Sequence, residues 1–198
     1  MLAVNNISCA RQLTPVFSNL SFDLSAGRAL LVEGANGTGK SSLLRLLAGL
    51  ATPTSGKILW QDAAHLESLH YIGHQNGLKL DLTVSENFRL KGALAGNALG
   101  LPVSPILQAL QLNAILNKPI RSLSAGQKRR VALAMLWLNP KKIWILDEPL
   151  TALDAATQHL FLNYLHEHLN NGGIAIISSH HPIVLPTAIH QTLRLSVC

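Results

Sequence analysis

The sequence has few charged residues for its length. Only 16 Lys and Arg and 10 Asp and Glu occur among 198 residues, or 13%, whereas an ordinary globular domain has about 25%. Hydrophobic residues reach 48%, and a chain of this length and composition can bury one core. This balance excludes an intrinsically disordered chain and favours one domain with room for a nested subdomain.

Cysteine is also scarce. Cys9 and Cys198 stand near opposite ends of the sequence, without the spacing of metal ligands. We therefore predict a reducing compartment, no disulfide and no disulfide-stapled scaffold. The first residues lack the basic start, apolar stretch and cleavage site of a secretion signal, so none is expected.

Residues 92–117 contain no Asp, Glu, Lys or Arg, and a stretch of this length raises the question of a membrane span. Pro102, Pro105 and several polar amides interrupt it. We therefore predict two helices and a loop rather than a span.

The net charge of +6 reflects few acids rather than many bases, so it is weak support for a nucleic-acid partner, and none is expected. The one dense basic run, Lys128-Arg129-Arg130, is typical of a solvated helix face.

Three continuous apolar runs, at residues 29–32, 143–146 and 174–177, predict strands buried on both faces, as in a parallel sheet covered by helices. Polar clusters follow each run and should meet at one edge of the sheet. Alternating residues near the N-terminus, and again at Leu193, Leu195 and Val197, predict an antiparallel layer beside it. Helical spacing at 83–95 and 104–116 predicts a nested helical subdomain over about 76–135.

The segment Gly34-(x4)-Gly39-Lys40-Ser41 follows the first buried strand and precedes a helical stretch at residues 42–50. This spacing in this context is that of a Walker A phosphate loop. Its glycines allow backbone N–H groups to surround phosphate oxygens, and the helix start adds partial positive charge. Lys40 should reach the β and γ phosphates, and Ser41 should offer its hydroxyl to Mg²⁺. The predicted nucleotide-binding segment is Gly34, Ala35, Asn36, Gly37, Thr38, Gly39, Lys40, Ser41 and Ser42.

Two adjacent acids, Asp147 and Glu148, end the second buried strand. Asp147 is placed as the Walker B aspartate that organises the metal. A carboxylate one residue further on is suited to orient and polarise a water for attack on the γ-phosphate, so Glu148 is the predicted catalytic acid-base residue.

A second anion-binding helix start is predicted at Leu123-Ser124-Ala125-Gly126-Gln127. Ser124 can cap the helix and Gly126 allows close backbone approach. Because the Walker A helix already serves one nucleotide, this end is suited to a nucleotide held by another subunit.

Together these motifs resemble those of an ABC-transporter ATPase, in order and spacing, over the whole chain. The motifs are the Walker A loop, Gly73-His74-Gln75, Leu123-Ser124-Ala125-Gly126-Gln127, Ile145-Leu146-Asp147-Glu148-Pro149, Ala152-Leu153-Asp154 and Ser179-His180. The resemblance implies an α/β P-loop NTPase fold with a mainly parallel sheet, an antiparallel β layer and a helical subdomain. It also implies a head-to-tail homodimer that encloses ATP between one subunit's Walker A loop and the other subunit's signature segment, which is Leu123-Ser124-Ala125-Gly126-Gln127.

Three further residues take roles from this resemblance alone. Gln75 would be the Q-loop residue that contacts metal and attacking water. His180 would be the switch histidine at the γ-phosphate, with His181 as the competing candidate, and Asp154 would lie at the dimer seam. With Ser124, Gly126 and Gln127, Asp154 is thus predicted to face nucleotide.

The sequence departs from the family pattern at two places. Ala125 stands where many relatives have glycine. The aromatic residue that usually stacks on adenine is missing, and Arg11 is either its replacement, through the guanidinium plane, or a solvated arginine.

Within the family, several stretches resemble the ATP-binding subunit of the haem exporter of bacterial cytochrome c maturation. They include Tyr71-Ile72-Gly73-His74-Gln75, Leu136-Trp137-Leu138 and Gly172-Gly173-Ile174. The resemblance implies a peripheral subunit on the cytoplasmic face of the inner membrane, bound to an integral membrane permease of that system. ATP hydrolysis would drive haem export or release of a haem-loaded chaperone, without haem ligation by this chain; the alternative is an ABC transporter for another substrate.

Rival classes lack their own motifs. The nearest match to a guanine-reading motif, Asn117-Lys118-Pro119-Ile120, lacks the aspartate, which argues against a GTPase. A nucleic-acid ABC ATPase would have a coiled-coil insertion or two nucleotide domains. The sparse charge instead suggests a permease-docking stretch containing Leu99, Leu101 and Val103.

Overall fold

The computed structural model describes residues 1–12, 14–61, 65–94, 96, 105–180 and 183–196. Their contacts divide them into two compact units. The first unit comprises the described residues of Met1–Tyr71, Lys141–Pro149 and Asn163–Cys198, and the second those of Ile72–Pro140 and Leu150–Leu162. In chain order the strands are β1 (Leu2–Arg11), β2 (Thr14–Leu24), β3 (Ala29–Glu33), β4 (Ser55–Trp60), β5 (Leu69–Ile72), β6 (Ile143–Asp147), β7 (Ile174–Ser178) and β8 (His190–Arg194).

The predicted antiparallel layer is a three-stranded sheet in the first unit, with the order β2-β1-β4. Both pairings of β1 are antiparallel. Leu2, Val4 and Ile7 of β1 are buried, and a register shift between Val4 and Ile7 keeps Ile7 on the buried side although this spacing departs from strict alternation.

The second sheet has the order β5-β6-β7-β3-β8. The three apolar runs of the sequence form its centre, and β3, β6 and β7 pair in parallel. Every residue of β6 and β7 is buried, because both faces of a parallel sheet are covered.

The expectation for the C-terminal strand was wrong. Alternation at Leu193 and Leu195 predicted an antiparallel strand, but β8 pairs in parallel with β3. An edge strand has one exposed face whichever direction it pairs, so alternation reports the exposure and not the direction. Val197 lies outside the described residues.

One helix of the first unit, α1 (Lys40–Leu47), begins directly after Gly39. Leu43, Leu44 and Leu47 are completely buried and belong to the core that the two sheets share. This packing anchors the helix, so its start is held at the edge of the sheet where β3 ends.

The second unit contains the helices α2 (Val84–Leu94), α3 (Pro105–Ala109) and α4 (Ala125–Leu138), and the beginning of α5 (Ala155–Asn170). The single helix predicted over 104–116 is wrong: α3 ends at Ala109 and a 3₁₀ turn occupies Asn113–Ile115. Gln111 has φ 55, a left-handed conformation that ends a helix. The nested subdomain over about 76–135 stays a prediction.

The basic run on α4 does not form a solvated face. Arg129 is only 4% exposed, and Lys128 and Arg130 are partly buried. No helix among the described residues has the length and hydrophobicity of a membrane span. Leu99, Leu101, Val103, His181 and Cys198 lie outside the described residues, so their predicted roles stay predictions, while Cys9 is a free, half-buried thiol.

Candidate functional site

The phosphate loop has two glycines whose conformation or surroundings exclude other residues. Gly39 caps α1 in the left-handed region at φ 96, and a Cβ on it would collide with Val16. A Cβ on Gly34 would lie 2.6 Å from the carbonyl oxygen of Leu195 and from Thr38 Oγ1. These close contacts require glycine at both positions.

Lys40 of the loop is buried, with 7% of the residue exposed. Its Nζ donates hydrogen bonds to the carbonyl oxygens of Gly34, at 2.7 Å, and Ala35, at 3.1 Å. Thr38 Oγ1 also donates to the Ala35 carbonyl, at 3.0 Å. The ammonium group is therefore held over the loop, and Ser41 and Ser42 follow it in the first turn of α1, where backbone N–H groups point out of the helix start.

Strand register brings the polar clusters to one edge of the sheet. Ser178 pairs with Val32 on one side and with Asp147 on the other. These residues lie at the same level of three neighbouring strands, so the phosphate loop, Glu148 and Ser179-His180 all emerge from the carboxyl edge of the first unit, as predicted.

Asp147 is a buried carboxylate at this edge, 3% exposed. Ser178 Oγ donates to Asp147 Oδ1 at 2.6 Å, and the backbone N–H of Glu148 donates to the same hydroxyl at 3.1 Å. Burial and, to a smaller extent, the negative charge of Asp147 raise the pKa of the Tyr71 phenol. Ser178 therefore orients both acids of the motif.

Glu148 contacts His180 directly. Glu148 Oε1 lies 3.1 Å from His180 Nε2, and Glu148 Oε2 accepts a hydrogen bond of 3.2 Å from the His180 backbone. The Glu148 side chain is 14% exposed and that of His180 is 41% exposed. Glu148 has φ 53, a strained value for a residue with a side chain, and such strain is concentrated at functional sites.

In the second unit, Ser124 begins α4 as a complete capping box. Its hydroxyl accepts from the Gln127 backbone at 3.2 Å, and Gln127 Oε1 accepts from the Ser124 backbone at 3.0 Å. A Cβ on Gly126 would lie 2.5 Å from the Ala152 carbonyl oxygen. The predicted helix start is confirmed, and Ala125 replaces glycine at its first residue without disturbing it.

Asp154 and Gln75 also belong to the second unit. Asp154 Oδ1 accepts a 2.8 Å hydrogen bond from the Thr157 backbone, so it caps the start of α5. That hydrogen bond holds the pKa of Asp154 below its usual value. Gln75 is exposed in a tight turn, in which the Gly77 N–H donates to the Gln75 carbonyl at 2.7 Å.

Arg11 ends β1, where it pairs with Thr14 of the β1–β2 hairpin. The residue is exposed, and this exposure is compatible both with stacking on the adenine base and with a solvated arginine. Its nucleotide-binding role stays a prediction.

Two residues of these sites were missed by sequence reasoning. Ser178 belonged to the polar cluster after the third apolar run but received no role, although a hydroxyl ending a buried strand beside the Walker B strand was a usable signal. Asn76 hydrogen-bonds Arg129 across 53 positions of sequence, and no local pattern indicates such a contact.

The oxygen ligands at the carboxyl edge fit a hard divalent cation. Asp147 presents a buried, oriented carboxylate, and Ser41 lies in the first turn of α1. Mg²⁺ prefers such oxygen ligands and completes its shell with phosphate oxygens and waters.

Comparison with known proteins identifies the class. A family model described as ABC transporter matches residues 17–151. A solved structure described as the ATP binding subunit of an ABC transporter has a TM-score of 0.82 at 25% identity, and the match covers 98% of this chain and 88% of that one. A dimeric ATP-binding cassette, MJ0796, in a post-hydrolysis state bound to ADP and Pi, has the same fold, with a TM-score of 0.77 at 22% identity over 91% of this chain and 88% of that one.

Curated relatives narrow the class. The cytochrome c biogenesis ATP-binding export protein CcmA of Cupriavidus pinatubonensis is 44% identical over 91% of this chain and 83% of its own length. The protein of that name from Vibrio cholerae is 40% identical over 98% of both chains. The chain therefore belongs to the ATP-binding, ATP-hydrolysing subunits of ABC transporters, and within them to the CcmA type.

Proposed function

We propose that this chain is the ATP-hydrolysing subunit of an ABC transporter complex of c-type cytochrome biogenesis. It would couple ATP binding and hydrolysis to haem export or to release of a haem-loaded chaperone. Support comes from the identity to relatives named cytochrome c biogenesis ATP-binding export protein, over nearly the whole chain. The proposed unit is one ATP-binding domain of residues 1–198, with a nested helical subdomain over about 76–135.

The main support for a role in ATP hydrolysis is the arrangement of polar residues at the carboxyl edge of the sheet. Strand register places Asp147, Ser178 and the end of β3 at one level. Lys40 and the backbone of residues 34–42 would hold the phosphates of ATP, with Asp147, Ser41 and Gln75 as ligands or near neighbours of Mg²⁺. When bound, Mg²⁺ neutralises phosphate charge and fixes the geometry of the γ-phosphate.

Glu148 would orient the attacking water and accept its proton. In the described structure its carboxylate is paired with His180. An imidazole at this distance fixes the carboxylate, and the same ring would turn to the γ-phosphate when nucleotide is bound. The partly exposed His180 side chain has room for this rearrangement.

A head-to-tail homodimer is proposed as the ATP-bound form. At the capped start of α4 the Ser124 and Gln127 N–H groups are engaged in the capping box, so Ser124 would offer its hydroxyl and Gly126 its N–H to phosphate oxygens, beside Gln127. Asp154 would lie at the dimer seam. The dimeric ATP-binding cassette with ADP and Pi supports this assembly by its fold.

The proposed membrane partner is an integral permease of the cytochrome c maturation system, with this chain attached at the cytoplasmic face of the inner membrane. Neither a nucleic-acid partner nor direct haem ligation by this chain is part of the proposal. The names of the relatives support the assignment to the cytochrome c maturation system, because they describe ATP-binding export proteins of cytochrome c biogenesis.

Affinity purification of the full chain from solubilised membranes tests the assignment. The expected result is recovery of a permease of the cytochrome c maturation system, with ATPase activity in the recovered complex. Recovery of a sugar or peptide permease in its place would contradict the cytochrome role while leaving the ATPase intact. The matched control is Glu148→Gln, which should recover the same permease and lack turnover.

A further inference from the structure

Arg129 is a buried arginine with defined partners. It lies in the second turn of α4 and is 4% exposed. Its Nη1 donates hydrogen bonds to Asn76 Oδ1 at 2.6 Å and to the Gly73 carbonyl oxygen at 3.3 Å. A buried guanidinium is costly unless it is hydrogen-bonded, so these contacts hold the side chain at this position.

The acceptors of Arg129 flank Gln75. The turn is closed by hydrogen bonds from the Asn76 N–H to the Gly73 carbonyl, at 3.1 Å, and from the Gly77 N–H to the Gln75 carbonyl, at 2.7 Å. Asn76 and Gly77 are both left-handed, with φ 59 and 60. Arg129 thus fixes the residues on either side of Gln75, while Gln75 itself stays exposed.

The helix that supplies Arg129 also begins with the signature segment. One helical turn separates Arg129 from Ala125, and Gly126 packs against the Ala152 carbonyl. A cavity of about 160 Å³ lies between these segments, lined by His74, Asn76, Ala125, Arg129, Thr151 and Ala152. The hydrogen bonds of Arg129 therefore tie the turn to the helix that begins with the signature segment.

We propose that Arg129 is a positioning residue that fixes the turn carrying Gln75 to the helix carrying the signature segment, so that both move as one body during ATP hydrolysis. The inference rests on the proposed role of Gln75 in hydrolysis. Arg129 acts through Asn76 and Gly73 and does not itself contact nucleotide. Its loss should therefore affect turnover more than ATP binding at the phosphate loop.

Variants at the two ends of the contact test this link in the full chain. Arg129→Met removes the donors and keeps the aliphatic stem, and Asn76→Ala removes the shorter of the two hydrogen bonds and leaves the Gly73 carbonyl as acceptor. Each should lower kcat about tenfold or more, because small misplacements of a catalytic group are costly, while the KM for ATP changes less than about twofold. Asn76→Asp keeps an acceptor for Arg129 and should retain most of the activity.

The double variant Arg129→Met/Asn76→Ala gives the sharpest result. If the two residues act through one contact, it should lose no more activity than the worse single variant. Lys128→Met is the control, since it removes a neighbouring charge of the same helix and should keep kcat. Additive losses, or wild-type kcat in Asn76→Ala, would overturn the proposal.

Hydrogen exchange gives a readout that does not depend on turnover. In Arg129→Met and Asn76→Ala the amides of residues 73–77 should exchange faster, while those of β6 and β7 keep wild-type protection. Unchanged exchange in the turn would overturn the anchoring. If Arg129→Met fails to fold, the kcat and the hydrogen exchange of Asn76→Ala test the proposal instead. Absence of hydrolysis in the wild-type chain would instead refute the ATPase, and the exchange result would still decide the anchoring.

Discussion

The hydroxyl of Ser178 donates a hydrogen bond of 2.6 Å to Asp147 Oδ1 inside the protein. The two residues face each other across neighbouring parallel strands, and Ser178 is completely buried. The same hydroxyl accepts a hydrogen bond from the Glu148 backbone. One serine on β7 thus orients the carboxylate of Asp147, the proposed metal ligand of β6, and the backbone of Glu148 that follows it.

Ser178→Ala should therefore lower the stability of the folded protein and its apparent affinity for Mg²⁺. The change leaves a buried carboxylate oxygen of Asp147 without this donor, at a cost of about 1–3 kcal/mol. We expect a lower urea midpoint and a several-fold higher Mg²⁺ concentration for half-maximal ATPase activity. Ser68→Ala, at a serine outside the site, is the control. Wild-type stability and Mg²⁺ dependence in Ser178→Ala would contradict the role given to Ser178.

Glu148→Gln should bind ATP and lose nearly all turnover. The amide keeps the shape of the side chain but cannot accept the proton of the attacking water. ATP should then trap the proposed dimer, which size-exclusion chromatography with ATP would detect as a shift to twice the mass. Hydrolysis at the wild-type rate would remove Glu148 from the mechanism.

Lys40→Ala should weaken nucleotide binding at least about tenfold, because a charged donor to the phosphates is lost. The variant also loses the two hydrogen bonds by which Lys40 ties the loop carbonyls. Titration with a fluorescent ATP analogue measures the affinity, with Lys57→Ala on β4 as the control. Unchanged affinity would show that Lys40 is not a phosphate ligand.

We expect His168 to make the stability of the first unit depend on pH. Its ring stacks on Trp144, with centroids 3.8 Å apart, and burial lowers its pKa, against a smaller opposing effect of the Ile174 carbonyl. The unfolded chain therefore takes up a proton below about pH 6.5 where the folded chain does not. Stability from neutral His168 is complete above that pH and falls as the pH drops toward the folded-state pKa.

Unfolding free energies at pH 7.5 and at successively lower pH would measure this effect. His168→Phe keeps an aromatic ring on Trp144 and should flatten the acid limb of the curve. His166→Gln, on the exposed face of α5, should leave the limb unchanged. An identical pH dependence in wild type and His168→Phe would show that His168 does not cause it.

The central strands and the phosphate loop could be predicted from sequence because their signals are local. A strand buried on both faces has only apolar residues, as at residues 143–146, and the loop needs its glycines and Lys40 within a few positions. The capped start of α4 is equally local, since Ser124 and Gln127 are three residues apart. The structure confirms the strand, the start of α1 directly after the loop and the capped start of α4, while the binding of phosphate there stays a prediction.

Other features depend on distant contacts and could not be predicted in this way. The direction of β8 is set by its pairing with β3, the burial of Arg129 by an asparagine 53 residues away, and the end of α3 by the conformation of Gln111. The prediction that Arg129 lies on a solvated helix face was wrong. A basic run has the same sequence whether its guanidinium groups are hydrated or hydrogen-bonded to carbonyl groups inside the protein.

The position of β3 between β7 and β8 has a consequence for the order of folding. The strand that leads into the phosphate loop is made early, but both of its hydrogen-bonding neighbours come from the last part of the described chain. During synthesis the loop must wait for strands about 140 residues or more downstream. The protein should therefore acquire its affinity for nucleotide only after β7 and β8 have emerged from the ribosome.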